Sequence, residues 1–310
     1  MRVLVLGAGA TGAYFGARLI QSGSAVSFLV RPARAERLRS DGLRVSSPHG
    51  DFAAPVDVLT HLPAGRHFDL VLLTCKAHDL DTALAAIAPA VGPDTRVLPL
   101  LNGLRHLDVL DLAFGTSRVL GGLCHISVTL QPDGSVLHMG QPHRLTFGAR
   151  APDPRLAELA PALLAAPAEV RQSARIIDAM WEKFAFLATL AGMTCLMRGS
   201  IGDIVATPDG AALLRRCYAE ACAVAAAAGH AISASARDDA AGILTMAGSA
   251  LKASMLRDLQ RGATTECEHI LGDLIARGSA HGIDMPMLCA AATHVRAYER
   301  DRDSREARKQ

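Results

Sequence analysis

The stretch Val3–Gly12, VLVLGAGATG, places an apolar run directly before a loop with three glycines. We expect residues 3–6 to form a first β-strand and residues 13–20 to form a helix that ends at Gly23. Glycines at this spacing permit a tight turn, a close approach to the backbone and close packing of the helix on the strand. The stretch therefore predicts the opening unit of a parallel α/β sheet.

The spacing G-x-G-x-x-G between a strand and a helix is typical of a dinucleotide-binding loop. The helix that follows would present backbone amides and a positive dipole to a pyrophosphate. A tight turn that binds no ligand is the alternative, and the strand and helix on either side disfavour it. The predicted cofactor-binding residues of the loop are Gly7, Ala8, Gly9, Ala10, Thr11 and Gly12.

The second predicted strand, 25–30, ends at Arg31, where NAD-binding proteins of this type carry a carboxylate for the ribose. An arginine at this position accommodates the 2′-phosphate of NADP. Arg34 and Arg37 follow it, so the sequence favours NADP(H) over NAD(H). For Arg34 and Arg37, the alternative is a solvated basic start of a helix.

Strands and helices alternate over the rest of the first half of the chain, which predicts a doubly wound parallel sheet. Ligands of such sheets bind at the carboxyl ends of the strands. Lys76 and Asn102 each follow a predicted strand, so we expect them at the same edge as the glycine loop. The predicted elements are strands at 43–45, 56–59, 68–74 and 96–101 and a helix at 80–87.

Residues 119–148 change character, because apolar segments flank the turn signal Pro132-Asp133-Gly134. We expect antiparallel strands at 119–129, 135–139 and 144–147 that extend the sheet. A short helix at 156–164 and an edge strand at 170–172 would complete a Rossmann-type domain over 1–173. The pattern beyond is helical, which predicts an all-α domain over 174–298 and a charged, frayed tail over 299–310. The predicted helices after 197 are 208–228, 236–241, 252–260, 264–276 and 287–298.

The all-α domain opens with a predicted helix at 176–197, whose last fourteen residues, from Phe184, carry no charge. This run is shorter than the roughly 20 apolar residues that span a bilayer, and it is long enough for a buried helix. Lys183 enters the run directly, and a lysine is costly to desolvate unless it is paired. A lysine that extends its amine to solvent at the helix end is the alternative.

Composition narrows the class of protein. A net charge of +2 indicates neither a nucleic-acid nor a membrane-surface partner. The start of the chain shows no signal peptide, and the seven cysteines form no C-x-x-C pair. We therefore expect free thiols in a cytoplasmic protein and no metal site. The sequence leaves open whether the chain forms a homodimer.

These residues together resemble the ketopantoate reductase (2-dehydropantoate 2-reductase) family over nearly the whole chain. Their order and spacing are specific, although several of the residues are individually common. The matching residues are GAGATG at 7–12, Arg31, Lys76, Leu101-Asn102-Gly103, Trp181-Glu182-Lys183-Phe184, Ser254-Met255, Asp258, Thr265-Glu266, Gly272 and Pro286.

The resemblance implies NADPH-dependent reduction of a 2-oxo acid to a 2-hydroxy acid, a reaction of pantothenate biosynthesis. It implies that Lys183 donates a proton to the carbonyl and that Asn102 lies near nicotinamide and substrate. It places Lys76 at the cofactor, Ser254 at the substrate, and Glu266 near both the cofactor and the lysine. An ammonium group suits this chemistry, because hydride delivery to a ketone builds negative charge on its oxygen.

The sequence differs from the family at the positions that bind the polar groups of the substrate. Leu187, Ala191 and Ile201 stand where the family has asparagines. Residues 183, 187 and 191 share one helix face, so the substrate-binding face beside the lysine is aliphatic here. We hypothesise that the reaction is retained and that the substrate is a 2-oxo acid or ketone with a more apolar side chain.

Two other functions are alternatives. One is a regulator that binds NADP(H) without catalysis, and the retained Lys183 and Glu266 argue against it. The other is a 3-hydroxyacid dehydrogenase of similar architecture, which the basic Arg31 disfavours. Neither the natural substrate nor the stereochemistry follows from the sequence.

Overall fold

The structure is a computed structural model that describes residues 1–63 and 65–308 of the chain. The chain forms two compact units. The first comprises Met1–Leu101 and His106–Ile176, and the second comprises Asn102–Arg105 and the chain from Ile177 onward. The strands all lie in the first unit and the second is helical, which confirms the predicted fold class. Within the described ranges, every helix is too short or too polar to cross a membrane.

The first sheet has five parallel strands, which are β1 (Arg2–Leu6), β2 (Ala25–Leu29), β5 (Asp57–Leu59), β6 (Leu70–Leu73) and β7 (Arg96–Pro99). Their order in the sheet is β5-β2-β1-β6-β7. The glycine loop follows β1, and β2 and β6 flank β1 on either side. Because the strands are parallel, the segments after β1, β2 and β6 leave the sheet at one edge.

A second sheet covers the helix α1 (Ala10–Gln21), so the prediction that residues 119–148 extend the first sheet is wrong. Tyr14 of α1 is buried against His138 and His143 of this sheet, and α1 packs on β1 and β2 as well. The helix is apolar on more than one face and therefore needs a layer on each side. This sheet contains β3 (Leu43–Ser46), β4 (Phe52–Ala54), β8 (Gly121–Leu130), β9 (Val136–Gly148) and β10 (Glu169–Gln172).

Two further details of the strands differ from the prediction. The segments 135–139 and 144–147 are parts of one strand, β9, which runs without a break to Gly148. The strands at 43–45 and 56–59 belong to different sheets, because β3 pairs with β4 and β9 whereas β5 pairs with β2. The remaining helices of the unit are α2 (Pro32–Asp41), α3 (Leu80–Ile87), α4 (Arg105–Phe114) and α5 (Pro154–Leu164).

Three histidines stack beside α1 in the first unit. The ring centroids of His49 and His143 lie 3.6 Å apart with an interplanar angle of 7°. His138 stacks on His49 at 5.6 Å, and Tyr14 Oη lies 3.0 Å from His143 Nδ1. Burial lowers the pKa of His138 and His143, and the charges of His49 and Arg18 lower it further. The folded state therefore favours neutral rings.

We expect the free energy of unfolding to fall as the pH drops below about 6.5, the ordinary histidine pKa. Below that value the unfolded chain binds protons that the folded chain resists, so acid stabilises the unfolded state. Urea unfolding at about pH 7.5 and about pH 5.5 measures the difference. Replacing His143 with glutamine should reduce it, whereas the exposed His281→Gln should not. Equal free energies at both pH values would contradict the prediction.

The second unit begins with α6 (Ile176–Met197), whose bounds match the predicted helix. The uncharged run is mostly buried, and Thr189 and Thr194 donate to the carbonyl oxygens of Ala185 and Leu190 one turn earlier. These bonds satisfy hydroxyls that would otherwise be costly to bury. The other helices are α7 (Ile201–Val205), α8 (Gly210–Ala227), α9 (Ala234–Leu244), α10 (Ser254–Gln260), α11 (Asp273–Ala280) and α12 (Pro286–Ala307).

The prediction of a frayed tail over 299–310 is wrong for the residues up to Ala307, which continue α12. Glu299 ties the helix to the unit, because its carboxylate accepts hydrogen bonds from the backbone amide and hydroxyl of Thr265. An ion pair between Asp301 and Arg305, at 2.6 Å and one turn apart, supports the exposed end. Residues 309 and 310 lie outside the described residues.

Candidate active site

The glycine loop has the geometry of a phosphate cradle. Gly7 has φ +88°, which favours glycine, and a Cβ on Gly12 would lie 2.3 Å from the carbonyl oxygen of Gly7. A Cβ on Gly9 would meet nothing within 4 Å among the described residues, so the space outside the loop is open. In this part of the chain no side chain caps the start of α1 at Gly9. The amides of its first turn therefore suit a pyrophosphate.

Arg34 of α2 braces this loop against the β8–β9 turn, and Arg37 of the same helix contacts the turn. Arg34 Nε donates to the carbonyl oxygen of Ala8 at 3.0 Å, and Nη1 donates to that of Gly134 at 2.8 Å. Arg37 Nη1 donates to the carbonyl oxygen of Pro132 at 2.9 Å. Burial and the neighbouring Arg37 lower the pKa of Arg34. Arg34 supports the loop, so the alternative of a solvated basic helix start is wrong for this residue, whereas Arg37 is exposed and fits that alternative.

Arg31 stands at the exit of β2 and caps α2 with an extended backbone before Pro32. Its side chain is 78% exposed, and Nη2 lies 2.6 Å from Asp79 Oδ1. Lys76 is exposed just after β6, where it precedes a single turn of 3₁₀ helix at Ala77–Asp79. Both predicted cofactor-binding cations thus lie at the edge of the sheet where the glycine loop lies.

Lys183 and Asn102 meet within the second unit. Lys183 Nζ donates to Asn102 Oδ1 at 3.1 Å, and both side chains are half-buried. Lys183 is the eighth residue of α6, and Asn102 precedes Gly103, whose φ of +78° turns the chain. The alternative of a lysine that only reaches solvent is wrong, because the ammonium has a fixed acceptor.

A buried histidine supports Asn102. The His269 ring hydrogen-bonds to the backbone of Asn102, and a Cβ on Gly103 would lie 3.0 Å from the His269 carbonyl oxygen. Burial lowers the pKa of His269, whereas the charge of Glu266 raises it. The π-helical segment Glu268–Gly272 presents this ring, and such segments are frequent at functional sites. Glu266, His269 and Asn102 therefore lie in one neighbourhood.

The predicted helix at 264–276 starts only at Cys267, so Glu266 precedes it and is half-buried. Its carbonyl oxygen accepts from the amide of Ile270 at 3.0 Å. Ser254 is exposed as the first residue of α10. The direct contacts of Glu266 and Ser254 with cofactor or substrate stay predictions.

The three positions that depart from the family differ in exposure. Leu187 is partly exposed one turn after Lys183. Ala191 is 1% exposed and Ile201 0%, so both lie in the core of the unit. Leu187 is therefore the one of these three with accessible surface, and a contact of Ala191 with substrate stays a prediction.

Sequence reasoning missed Asp79 and His269. Asp79 follows Lys76 by three residues, and an acidic residue near a predicted phosphate site is the signal that could have drawn attention to it. His269 lies three residues after Glu266, on an apolar helical pattern that indicates only core packing. Its proximity to Asn102 depends on the tertiary fold.

A dinucleotide-binding sheet and a lysine held by an asparagine define the class of protein, an oxidoreductase. A family model described as ketopantoate reductase PanE/ApbA matches residues 3–152, and the model of its C-terminal part matches residues 175–299. The chain belongs to the ketopantoate reductase family. The resemblance drawn from the sequence and the enzyme class, an oxidoreductase acting on CH–OH groups with a nicotinamide cofactor, are thereby confirmed.

Known proteins of similar sequence and structure cover the whole fold. The chain is 33% identical to "Uncharacterized oxidoreductase YkpB" of Bacillus subtilis over 97% of this chain and all of that protein. The solved 2-dehydropantoate 2-reductase of Geobacter metallireducens is 30% identical, with a TM-score of 0.87 over 96% of this chain and 99% of that one. D-Mandelate dehydrogenase, solved with NADH and anilino(oxo)acetate, has a TM-score of 0.87 over 98% and 99% of the chains at 21% identity, which shows the fold alone.

Proposed function

We propose that this protein reduces a 2-oxo acid to a 2-hydroxy acid with NADPH, and that Lys183 donates the proton. The observation that carries the proposal is the hydrogen bond from Lys183 Nζ to Asn102 Oδ1 at 3.1 Å. It holds an ammonium group in a half-buried position, in a chain whose first unit has the phosphate cradle of a dinucleotide site. The name of the Geobacter relative supports the reaction class.

Each group has a defined part in the proposed reaction. The cofactor, when bound at the glycine loop, supplies a hydride for the carbonyl carbon. The electron pair of the C=O π bond moves to oxygen, and Lys183 stabilises the charge and transfers a proton to it. Asn102 orients the ammonium through Oδ1, and the lysine regains its proton from solvent. The products are the 2-hydroxy acid and NADP⁺.

We propose further that the substrate side chain is more apolar than that of ketopantoate. Leu187 supplies accessible aliphatic surface one turn from Lys183, where an asparagine would bond a substrate hydroxyl. A buried polar group left unpaired in such a site costs binding energy. A part in pantothenate biosynthesis would require ketopantoate as substrate. A cytoplasmic location and a homodimer stay predictions.

Steady-state kinetics over a panel of 2-oxo acids test the proposal. We expect branched aliphatic 2-oxo acids to give higher kcat/KM than ketopantoate with NADPH. Replacing Leu187 with asparagine should shift this ratio toward ketopantoate by about tenfold, since polar pairing discriminates more than apolar contact.

The matched control for this variant is Leu112→Asn, which introduces the same change at a side chain that is 91% exposed on α4. It should leave the ratio unaltered. A strong preference of the unaltered enzyme for ketopantoate would refute the apolar substrate. Failure to oxidise NADPH with any member of the panel would refute the reductase function itself.

A further inference from the structure

Opposite charges stand on the two sides of the glycine loop. Arg31 follows β2 and Asp79 lies six residues after the end of β6, and these two strands flank β1. Arg31 Nη2 and Asp79 Oδ1 are 2.6 Å apart, so the ion pair joins the two strand exits beside the loop. This pair lies within the first unit, on the edge where the cofactor loop is.

Arg31 stands after β2, at the position where an arginine accommodates the 2′-phosphate of NADP. Arg34 donates to carbonyl oxygens of the glycine loop and of the β8–β9 turn, and Arg37 donates to one of that turn. Arg31 projects from the sheet edge with 78% of its side chain exposed. A 2′-phosphate at this edge would therefore meet Arg31, whose charge Asp79 already offsets, and the exposed Lys76 after β6.

The side chain of Asp79 pairs with Arg31 and does not cap the helix α3. It occupies the N-cap position of α3, where aspartate usually accepts from a backbone amide of the first turn. Within the described chain its side chain makes no such bond, and Oδ1 is directed to Arg31. Oδ2 lies 3.9 Å from His78 Nε2, and 35% of the side chain is exposed, so a ligand can reach the carboxylate.

The two nicotinamide cofactors differ only at the ribose 2′ position, which is phosphorylated in NADPH and a hydroxyl in NADH. A phosphate needs cations, whereas a hydroxyl is bound well by a carboxylate acceptor. The phosphate would have to compete with Asp79 for Arg31 and would lie close to a like charge. A ribose hydroxyl could donate to Asp79 while the ion pair stays intact.

We propose that Asp79 sets the cofactor preference by opposing the 2′-phosphate, so that the protein accepts NADH as well as NADPH. The inference rests on the proposed function, because it concerns the cofactor of that reaction. Arg31 alone predicts a preference for NADPH over NADH, because it attracts the 2′-phosphate. Asp79 reduces that preference.

Calorimetric titration of NADPH and NADH, without any oxo acid, tests this inference. In the unaltered protein we expect the two dissociation constants to lie within about tenfold of each other, as expected for a partly neutralised arginine. Asp79→Asn should tighten NADPH by about tenfold, the value of one charged interaction, and should not tighten NADH. Asp79→Ala, which removes the carboxylate without adding an amide, should shift the ratio in the same direction.

The matched control is Asp81→Asn, which removes the same charge from an exposed residue two positions along α3. It should leave the ratio of the two constants unchanged. Thermal unfolding of each variant verifies that it folds.

This inference alone would be overturned if Asp79→Asn and Asp79→Ala left the ratio of the NADPH and NADH dissociation constants unaltered. A shift of that ratio toward NADH would overturn it too. So would an equal shift in the Asp81→Asn control, or a preference of the unaltered protein for NADPH above about a hundredfold, which corresponds to two full charged contacts. If neither cofactor binds the unaltered protein, both this inference and the proposed function fail.

Discussion

Replacing Lys183 with alanine is expected to lower kcat by about a thousandfold, the usual contribution of a positioned proton donor. NADPH binding should be retained, because the glycine loop, Arg31 and Lys76 all belong to the first unit. The loss should appear in kcat more than in KM, since the ammonium stabilises charge that develops only in the transition state. Single-turnover kinetics and calorimetry measure the two quantities separately.

Lys252→Ala is the matched control for this prediction. Lys252 is a half-buried lysine of the same unit that directly precedes Ala253, the N-cap residue of α10, and it has no part in the proposed chemistry. Its replacement should leave kcat unchanged. Unchanged turnover in Lys183→Ala would remove Lys183 from the mechanism, and a joint loss of turnover and NADPH binding would assign it to cofactor binding.

Replacing Gly12 with alanine should destabilise the fold by about 3 kcal/mol or more, at the upper end of the range for overpacking. The added Cβ would lie 2.3 Å from the Gly7 carbonyl oxygen and 2.4 Å from Thr74 Oγ1. Thr74 is itself fixed, because its hydroxyl donates to the Leu6 carbonyl oxygen at 3.0 Å. The helix would have to move away from β1, and NADPH binding would be lost with it. Urea unfolding and calorimetry measure both effects.

Alanine variants at two uncrowded glycines, Gly9 and Gly242, distinguish the effect of the steric clash at Gly12 from the effect of the added methyl group itself. Gly9→Ala should cost about 1 kcal/mol or less, the penalty for alanine at an N-cap, and should still abolish NADPH binding. Gly242→Ala, inside α9 with nothing within 4 Å among the described residues, should stabilise by about 1 kcal/mol or less. Equal stability of the Gly12 and Gly242 variants would contradict the packing argument.

Local patterns were enough to predict much of the fold. The apolar run before GAGATG gave β1 and the loop, and the uncharged stretch after Lys183 gave α6 with its observed bounds. The helix at 80–87 also has its predicted bounds, as α3. These elements follow from the chemistry of neighbouring residues, through periodicity, glycine spacing and the absence of charge.

The arrangement of strands into sheets could not be read in the same way. The segment 136–148 is visibly β-forming, but its pairing with β3 and β10, and its placement over α1, depend on partners far along the chain. Apolar alternation specifies which face of a strand is buried and not which strand lies beside it. The helical end of α12 was missed for a similar reason, because Thr265 anchors Glu299 across 34 residues.

The sequence by itself determined which candidate functional groups are present: a glycine loop after a first strand, an arginine after the second, and a lysine beside an aliphatic helix face. The tertiary structure decided which of these groups act on one another. It gave Lys183 an acceptor in Asn102, diverted Arg34 and Arg37 to carbonyl oxygens, and set Asp79 against Arg31. Charges and hydrogen bonds act over a few ångströms, and only the fold brings residues distant in sequence within that range.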